Sequence, residues 1–226
     1  MDPTYRRGQL CTTTSPGASL AYLAINRGPG CWRLHAHGFL LAAKESSERA
    51  IATGNYDTAA YAIVYLLRHG VELYLKHLAE VTDVCLSFRD PEHARIAARG
   101  HDLKRLWANL KPFIETARFM GESETWQPLK VSDFEALVED LHSIDPDGQT
   151  IRYPTNSKGS TNLTSIDYLD VNQVRRAIAL ASDTLDAWND AYHQFMAAYD
   201  IPEIPSEVLK AHGINHVPRV PRPPDR

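Results

Sequence analysis

The stretch Tyr61–His77, YAIVYLLRHGVELYLKH, decides the fold. Its apolar residues surround the helix too completely for a surface position, so the pattern predicts a helix inside the core. Arg68, Glu72 and Lys76 nevertheless form one row at four-residue spacing, with His69 beside it. Two interpretations stay open. The row is an exposed salt ladder, or it lines a functional cleft, because charges on a core helix need partners.

Four other segments repeat apolar residues every three or four positions, and most begin or end at a capping residue or a glycine. The first predicted helix runs from near His37 to Thr53 and stops at Gly54, and the second begins after Asn55 or Asp57 and reaches about Val81. The third begins at His101, and Pro112 is expected to bend or shorten it. The fourth begins at Ser132, with Ser132 and Glu135 as a reciprocal capping pair, and the last runs from Val171 to Tyr199 with Asp170 as its N-cap. Only Thr150–Tyr153, which follows an Asp-Pro-Asp-Gly turn, is predicted to be extended.

The last predicted helix carries the most regular apolar stripe in the chain. Its members are Val171, Val174, Ile178, Ala181, Leu185, Trp188, Tyr192, Phe195 and Tyr199. Such a stripe packs along other long helices or pairs with its copy in a dimer. Together the helices predict an all-α fold, an antiparallel bundle of four to five helices with short connections.

We expect the helical domain to span residues 35–200, because the composition of the chain changes on both sides of this range. Residues 1–34, rich in Thr, Ser, Gly and Pro, predict an irregular N-terminal arm, and residues 201–226 predict a solvated, proline-rich tail whose arginines offer an alternative contact for phosphate. The net charge of −4 argues against a general coating of positive charge for nucleic acid, but it allows a local basic groove. With three widely spaced cysteines, no apolar segment of membrane-spanning length and no convincing signal peptide, the chain is expected in the cytoplasm and not in a membrane.

Cys31, His35 and His37 are the candidate metal ligands. Sulfur and imidazole at this spacing can hold zinc, but three ligands from one segment leave the fourth unassigned, and no second pair of matching spacing follows. No metal or other cofactor is therefore predicted.

Arg95 and His101, separated by five residues, are candidate catalytic groups. A guanidinium stabilises a phosphorane, and an imidazole moves the proton of a ribose 2′-hydroxyl or of a leaving oxygen, so the pair could cleave RNA without a metal. The alternative is structural, because His101 and Asp102 stand where a capping dipeptide would begin the third helix.

Arg152 and Tyr153 lie on the loop before the last helix. The arginine could bind a phosphate or carboxylate through two parallel hydrogen bonds, or it could pin the loop to acidic groups while the tyrosine covers the edge of the core. The chain has no glycine-rich phosphate loop, nucleophile elbow or zinc-binding His-Glu-x-x-His helix, which excludes the commonest enzyme classes.

Three motifs in this order resemble the HEPN superfamily, the small helical domains of prokaryotic toxin–antitoxin, anti-phage and RNA-processing systems. They are His-x-x-Glu-x-x-x-Lys from His69 to Lys76, Gly-His-Asp-Leu-x-x-Leu from Gly100 to Leu106, and Arg-Tyr-Pro from Arg152 to Pro154. The resemblance covers roughly residues 37–199. It implies a bundle that dimerises and places polar residues of both copies in a shared cleft.

Many HEPN domains are metal-independent endoribonucleases with an arginine, four to six residues and a histidine late in the fold. Here the pair with that spacing, Arg95 and His101, precedes the third helix. The expected catalytic residues are His101, Arg152, Glu72 and Arg95, and the expected binding residues are Arg68, His69, Lys76, Asp102 and Tyr153. The expected partners are RNA or a nucleotide, a second copy of the chain, and an antitoxin or defence-system protein. The alternatives are a non-catalytic dimerisation or binding module and a purely structural bundle.

Overall fold

The computed structural model describes residues 31–89, 92, 94–116, 131–164 and 166–198. Most of the predicted N-terminal arm, the whole predicted tail and Tyr199 lie outside these residues. The described chain is an all-α bundle of five helices, which confirms the predicted fold class. They are α1 (Trp32–Thr53), α2 (Tyr56–Arg89), α3 (Leu103–Thr116), α4 (Val131–Ile144) and α5 (Val171–Ala198).

Helices α1 and α2 form an antiparallel hairpin around the predicted stop at Gly54. This glycine has a left-handed φ of 70°, which ends α1, and α2 begins two residues later. Both helices are longer than predicted, α1 at its start and α2 at its end. At Gly70 the two helices approach so closely that a Cβ there would lie 2.8 Å from Cγ of Leu40.

Helix α2 is the centre of the bundle and packs against α1, α3 and α5. It runs parallel to α5, because residue numbers increase together along their shared contacts. These contacts are Tyr74 Oη to Asp186 Oδ1 at 2.5 Å, His77 Nε2 to Asn189 Oδ1 at 2.8 Å, and Thr82 Oγ1 to Tyr192 Oη at 2.6 Å. The prediction of a wholly antiparallel bundle is therefore wrong for this pair.

The parallel pairing has its cause in the connection between α2 and α3, which runs back along α2. The backbone N–H of Ile96 donates to Asp83 at 2.8 Å, and five residues later the His101 ring contacts Glu72, three helical turns earlier on α2. Helix α3 consequently starts beside the middle of α2 and not beyond its end. This return path also brings His101 to the polar row.

Helix α3 continues one turn past Pro112, whose missing N–H removes a single bond. Two local predictions are wrong. Helix α4 begins at Val131, one residue before the predicted cap Ser132, and Glu135 instead accepts two hydrogen bonds from Lys111 at 2.7 and 2.8 Å. Thr150–Arg152 is a short 3₁₀ helix and not an extended segment.

Helix α5 confirms the predicted stripe and cap. Asp170 Oδ1 accepts from the backbone N–H of Asn172 at 2.8 Å and of Gln173 at 3.3 Å. The stripe from Val171 to Phe195 is buried inside the chain against α1, α2 and α4. Of the two predicted uses of this stripe, packing along other long helices is the one observed.

Candidate functional site

Arg68 lies at the centre of the polar row on α2 with only 1% of its side chain exposed. Its Nη1 donates to Glu72 Oε2 at 2.8 Å, its Nε donates to the backbone carbonyl of Asp145 at 2.9 Å and lies 3.2 Å from that residue's Oδ2, and its Nη2 donates to the backbone carbonyl of His101 at 2.5 Å. One guanidinium thus ties α2, the start of α3 and the end of α4 together. Arg68, which the sequence predicts as a binding residue, is buried and donates to these three protein groups.

Glu72 is equally buried and connects Arg68 to two further groups. Its Oε1 accepts from Lys76 Nζ at 2.8 Å and contacts His101 Nδ1 at 2.9 Å. Burial alone would raise the pKa of Glu72, but the hydrogen bonds and charge of Lys76, with those of Arg68 and His101, hold that pKa below its usual value. Glu72 is therefore an anion that accepts hydrogen bonds from three sides. The predicted salt ladder exists, but it is buried and not on an exposed edge.

His101 is the accessible member of this cluster, with 57% of its side chain exposed. Because an ionised carboxylate can only accept hydrogen bonds, the contact with Glu72 places the proton of the neutral ring on Nδ1. The lone pair is then on Nε2, the nitrogen that a general base uses. The geometry is that of an imidazole oriented by a fixed carboxylate, the arrangement found in general acid–base sites.

Gly148 closes the cluster from the side of the loop after α4. Its φ of 75° is left-handed, and a Cβ at this position would lie 3.1 Å from Arg68 Nη1 and 3.3 Å from His101 Cβ. Asp145 anchors the same turn, since its Oδ1 accepts from the backbone N–H of Thr150 at 2.8 Å. Only glycine lets the turn approach Arg68 this closely without strain.

Arg152 and the exposed Tyr153 lie beside the same face of α2. The Arg152 guanidinium carbon is 5.8 Å from the ring centre of Tyr65 and 5.4 Å from that of Tyr153. Tyr65 in turn stacks on His69 at 5.7 Å with an interplanar angle of 7°. Arg152 is therefore attached to the loop and to α2 by aromatic contacts, and it remains exposed.

The remaining predicted residues have separate positions. His69 is half-buried between Tyr65 and Phe39, and burial lowers its pKa, with Lys76 and Arg68 adding to the effect and Glu72 opposing it. Asp102 has the predicted structural role, because its Oδ1 accepts from the backbone N–H of Arg105 at 3.1 Å at the start of α3. Arg95 lies exposed on the connection that leads into α3.

At the opposite end of the polar row, Trp32 packs over Lys76. The Lys76 Nζ is 5.7 Å from the Trp32 ring centre, and the Trp32 indole N–H donates to Glu80 at 2.7 Å. No sequence motif indicated Trp32, Tyr65 or Asp145 as members of this site, because their roles depend on which helices become neighbours. Gly148 had a signal, since the Asp-Pro-Asp-Gly turn requires a residue with positive φ.

Within the described residues, no three or more histidine, cysteine, aspartate or glutamate side chains are grouped so that they could hold a metal ion. Cys31 directly precedes α1, while His35 and His37 lie exposed within that helix. No described helix combines the length and apolarity that crossing a membrane requires. Comparison of the chain with protein-family profiles, with characterised proteins and with solved structures finds no significant match.

Proposed function

We propose that the protein engages RNA or a nucleotide on the face of α2 where His101 meets Glu72, with His101 as a metal-independent general acid–base. The observation that carries this proposal is the 2.9 Å contact between an exposed imidazole and a buried, ionised carboxylate. A purely structural salt ladder has no need of an exposed imidazole as its third member. A histidine fixed in one tautomer suits deprotonation of a ribose 2′-hydroxyl.

Lys76 adds positive charge next to the candidate base. It donates to the same Glu72 oxygen that contacts His101, so its ammonium and the imidazole are neighbours. A cation in this place stabilises the charge that develops on a phosphorane. Glu72 would act as a positioning residue for both groups, and Arg68 would position Glu72.

The surface around His101 supports binding of a nucleic acid strand. Tyr65, His69, Glu72 and Lys76 follow one another by four, three and four positions, so they share one face of α2. Tyr65 and Lys76 are about 16 Å apart along the helix axis at about 1.5 Å per residue. Aromatic rings with cations stand at both ends of this row, as in surfaces where bases stack and phosphates pair with basic side chains.

We include in the proposal the HEPN-like assignment and what it implies. The support is the order of the three motifs. The glutamate of the first motif, Glu72, contacts the histidine of the second motif, His101. Homodimerisation and a role beside an antitoxin or defence-system partner belong to the same proposal. Arg152 is the better placed phosphate ligand than Arg95, because aromatic contacts hold it beside the polar row.

The test is cleavage of total RNA and of transfer RNA by the purified protein in the presence of EDTA. We expect cleavage that His101→Ala reduces by about 10²- to 10⁴-fold, the range attributed to general acid–base catalysis, and that Glu72→Gln reduces by a smaller factor. His37→Ala, an exposed histidine on α1, is the matched control and should leave the rate unchanged. Cleavage that persists in His101→Ala with the same pH profile would exclude His101 as the base.

A non-catalytic binding module is the second candidate, and the aromatic fixation of Arg152 favours it. Binding of labelled RNA or nucleotide without cleavage, weakened by Arg152→Ala and by salt, would support this candidate. Arg152→Lys should fail to restore binding if the planar guanidinium is the group used. Neither cleavage nor binding by a folded protein would contradict both candidates.

A further inference from the structure

A concavity of about 230 Å³ lies where the start of α2 and the segment before α5 meet the end of α4. Its floor is aliphatic and formed by side chains that include Val64, Ile144, Ile151 and Val171. The Thr150–Arg152 helix borders both sites, because it gives Ile151 to this floor and Arg152 to the stack on Tyr65. The concavity shares no lining residue with the Glu72–His101 cluster.

The rim of this concavity is aromatic and acidic. Tyr56, Tyr61 and Tyr168 line it and are 42%, 59% and 94% exposed. Asp57 and Asp167 are the charged residues of the described lining, which contains no lysine, arginine or histidine. Exposed tyrosines around an aliphatic floor, with carboxylates and without a cation, have the composition of sites that hold organic ammonium ions through ring faces and negative charge.

We propose that this concavity binds a small organic cation, an alkylammonium or quaternary ammonium group. The volume of about 230 Å³ is large enough for a trimethylammonium group with a short tail. The aliphatic floor receives the methyl groups, the tyrosine rings face the charge, and the two carboxylates supply the counter-charge. A phosphate or carboxylate ligand is disfavoured because Asp57 and Asp167 would repel it.

The two aspartates differ in their structural roles, and we chose the variant for the test on this basis. Asp57 lies in the first turn of α2, where a carboxylate also complements the helix dipole. Asp167 lies outside the helices, three residues before the N-cap Asp170. Asp167→Asn therefore removes counter-charge from the concavity without touching the first turn of a helix.

The experiment is a titration of the full chain with choline, followed by NMR chemical shifts, beside 3,3-dimethylbutan-1-ol as its uncharged carbon analogue. A second arm uses 1,4-diaminobutane to separate quaternary from primary ammonium ligands. We expect choline or the diamine to bind and the neutral analogue to bind at least about tenfold more weakly. Asp167→Asn should weaken binding about two- to fivefold, as for a partly solvated charge pair. Tyr61→Leu should weaken it by a similar factor, as for an exposed cation–π contact, whereas Tyr61→Phe should retain it.

Equal binding of choline and its neutral analogue would overturn the proposal, because the concavity would then recognise only apolar surface. It would also be overturned if neither cation shifted the protein signals at concentrations that saturate a site of millimolar Kd. Unchanged choline affinity in both Asp167→Asn and Tyr61→Leu would place the binding elsewhere. None of these measurements involves RNA or His101, so their outcome is independent of the proposed function.

Discussion

Arg68 shows at the scale of one residue how a buried charge fixes the geometry of an exposed group. Its planar fork sends three nitrogens to three different elements, two of them through backbone carbonyls. Lysine has one nitrogen and cannot span these acceptors. The exposed His101 is thus held at two points, at its backbone carbonyl by Arg68 and at ring Nδ1 by Glu72.

Removing Glu72 should be more damaging than removing any surface carboxylate. Glu72→Ala leaves Arg68 buried with one partner fewer, and breaking such a pair costs about 3 to 5 kcal/mol. We expect that loss in the free energy of unfolding, measured by urea denaturation. Glu139→Ala, which removes an exposed partner of Lys104, is the control and should change little. A Glu72→Ala midpoint equal to that of wild type would contradict the burial of this cluster.

Two residues predict how stability changes with pH. His69 has a pKa lowered by burial, so the unfolded chain binds its proton more tightly, and stability falls as the pH drops below the usual value of 6.5. Glu72 has a pKa held low by its partners, so its contribution is present above its usual value of 4.5 and is lost as the pH falls through its folded-state pKa. Urea midpoints measured from pH 8 down to about pH 2 should therefore decline in two steps, one below 6.5 and one below 4.5. His69→Gln should remove the first step alone, and a first step that persists in this variant would assign it to another histidine.

At the scale of elements, two glycines of the α1–α2 hairpin should respond oppositely to alanine. A Cβ on Gly70 would meet Leu40 Cγ at 2.8 Å and the Ala36 carbonyl oxygen at 3.3 Å, whereas a Cβ on Gly38 meets nothing within 4 Å. Gly38→Ala should stabilise the protein by about 0.5 to 1 kcal/mol through helix propensity. Gly70→Ala should destabilise it by about 1 to 3 kcal/mol through overpacking. Thermal denaturation of the two variants measures both signs, and stabilisation by Gly70→Ala would show that the helices are not in close contact.

Two glycines of the loop after α4 allow a similar comparison, and one of them lies against the candidate site. Gly148 and Gly159 have nearly equal φ values of 75° and 80°, but only Gly148 has neighbours within 4 Å of an added Cβ. Alanine at either position should cost about 1 to 2 kcal/mol of left-handed strain. Gly148→Ala should cost more and should also shift the His101 ring signals in NMR spectra. Equal losses in the two variants, with unshifted His101 signals, would contradict the packing of Gly148 on Arg68.

At the scale of the whole molecule, the periodicity of apolar residues predicted which faces of the helices are buried. Tertiary contacts decided how the helices pair and which residues form the polar cluster. The α5 stripe, the Gly54 stop and the Asp170 cap follow from spacing and backbone chemistry, which act within a few residues. The parallel pairing of α2 with α5 and the place of Asp145 in the cluster depend on the path of the chain between helices. The resemblance implied that polar residues of the motifs share a cleft, but the contact between Glu72 and His101 and the burial of Arg68 beneath it required the folded chain.

The burial of the α5 stripe also separates folding of one chain from pairing of two. Leu185 has no exposed surface and packs inside the monomer, so Leu185→Ala should lower the free energy of unfolding by about 2 to 5 kcal/mol. Light scattering after size-exclusion chromatography should show an unchanged oligomeric state, because any homodimer must use other surfaces. Gln194→Ala, at an exposed position on α5, is the control and should change neither quantity. A Leu185→Ala variant that is a folded monomer of wild-type stability, from a dimeric parent, would mean that the stripe pairs chains instead of closing the bundle.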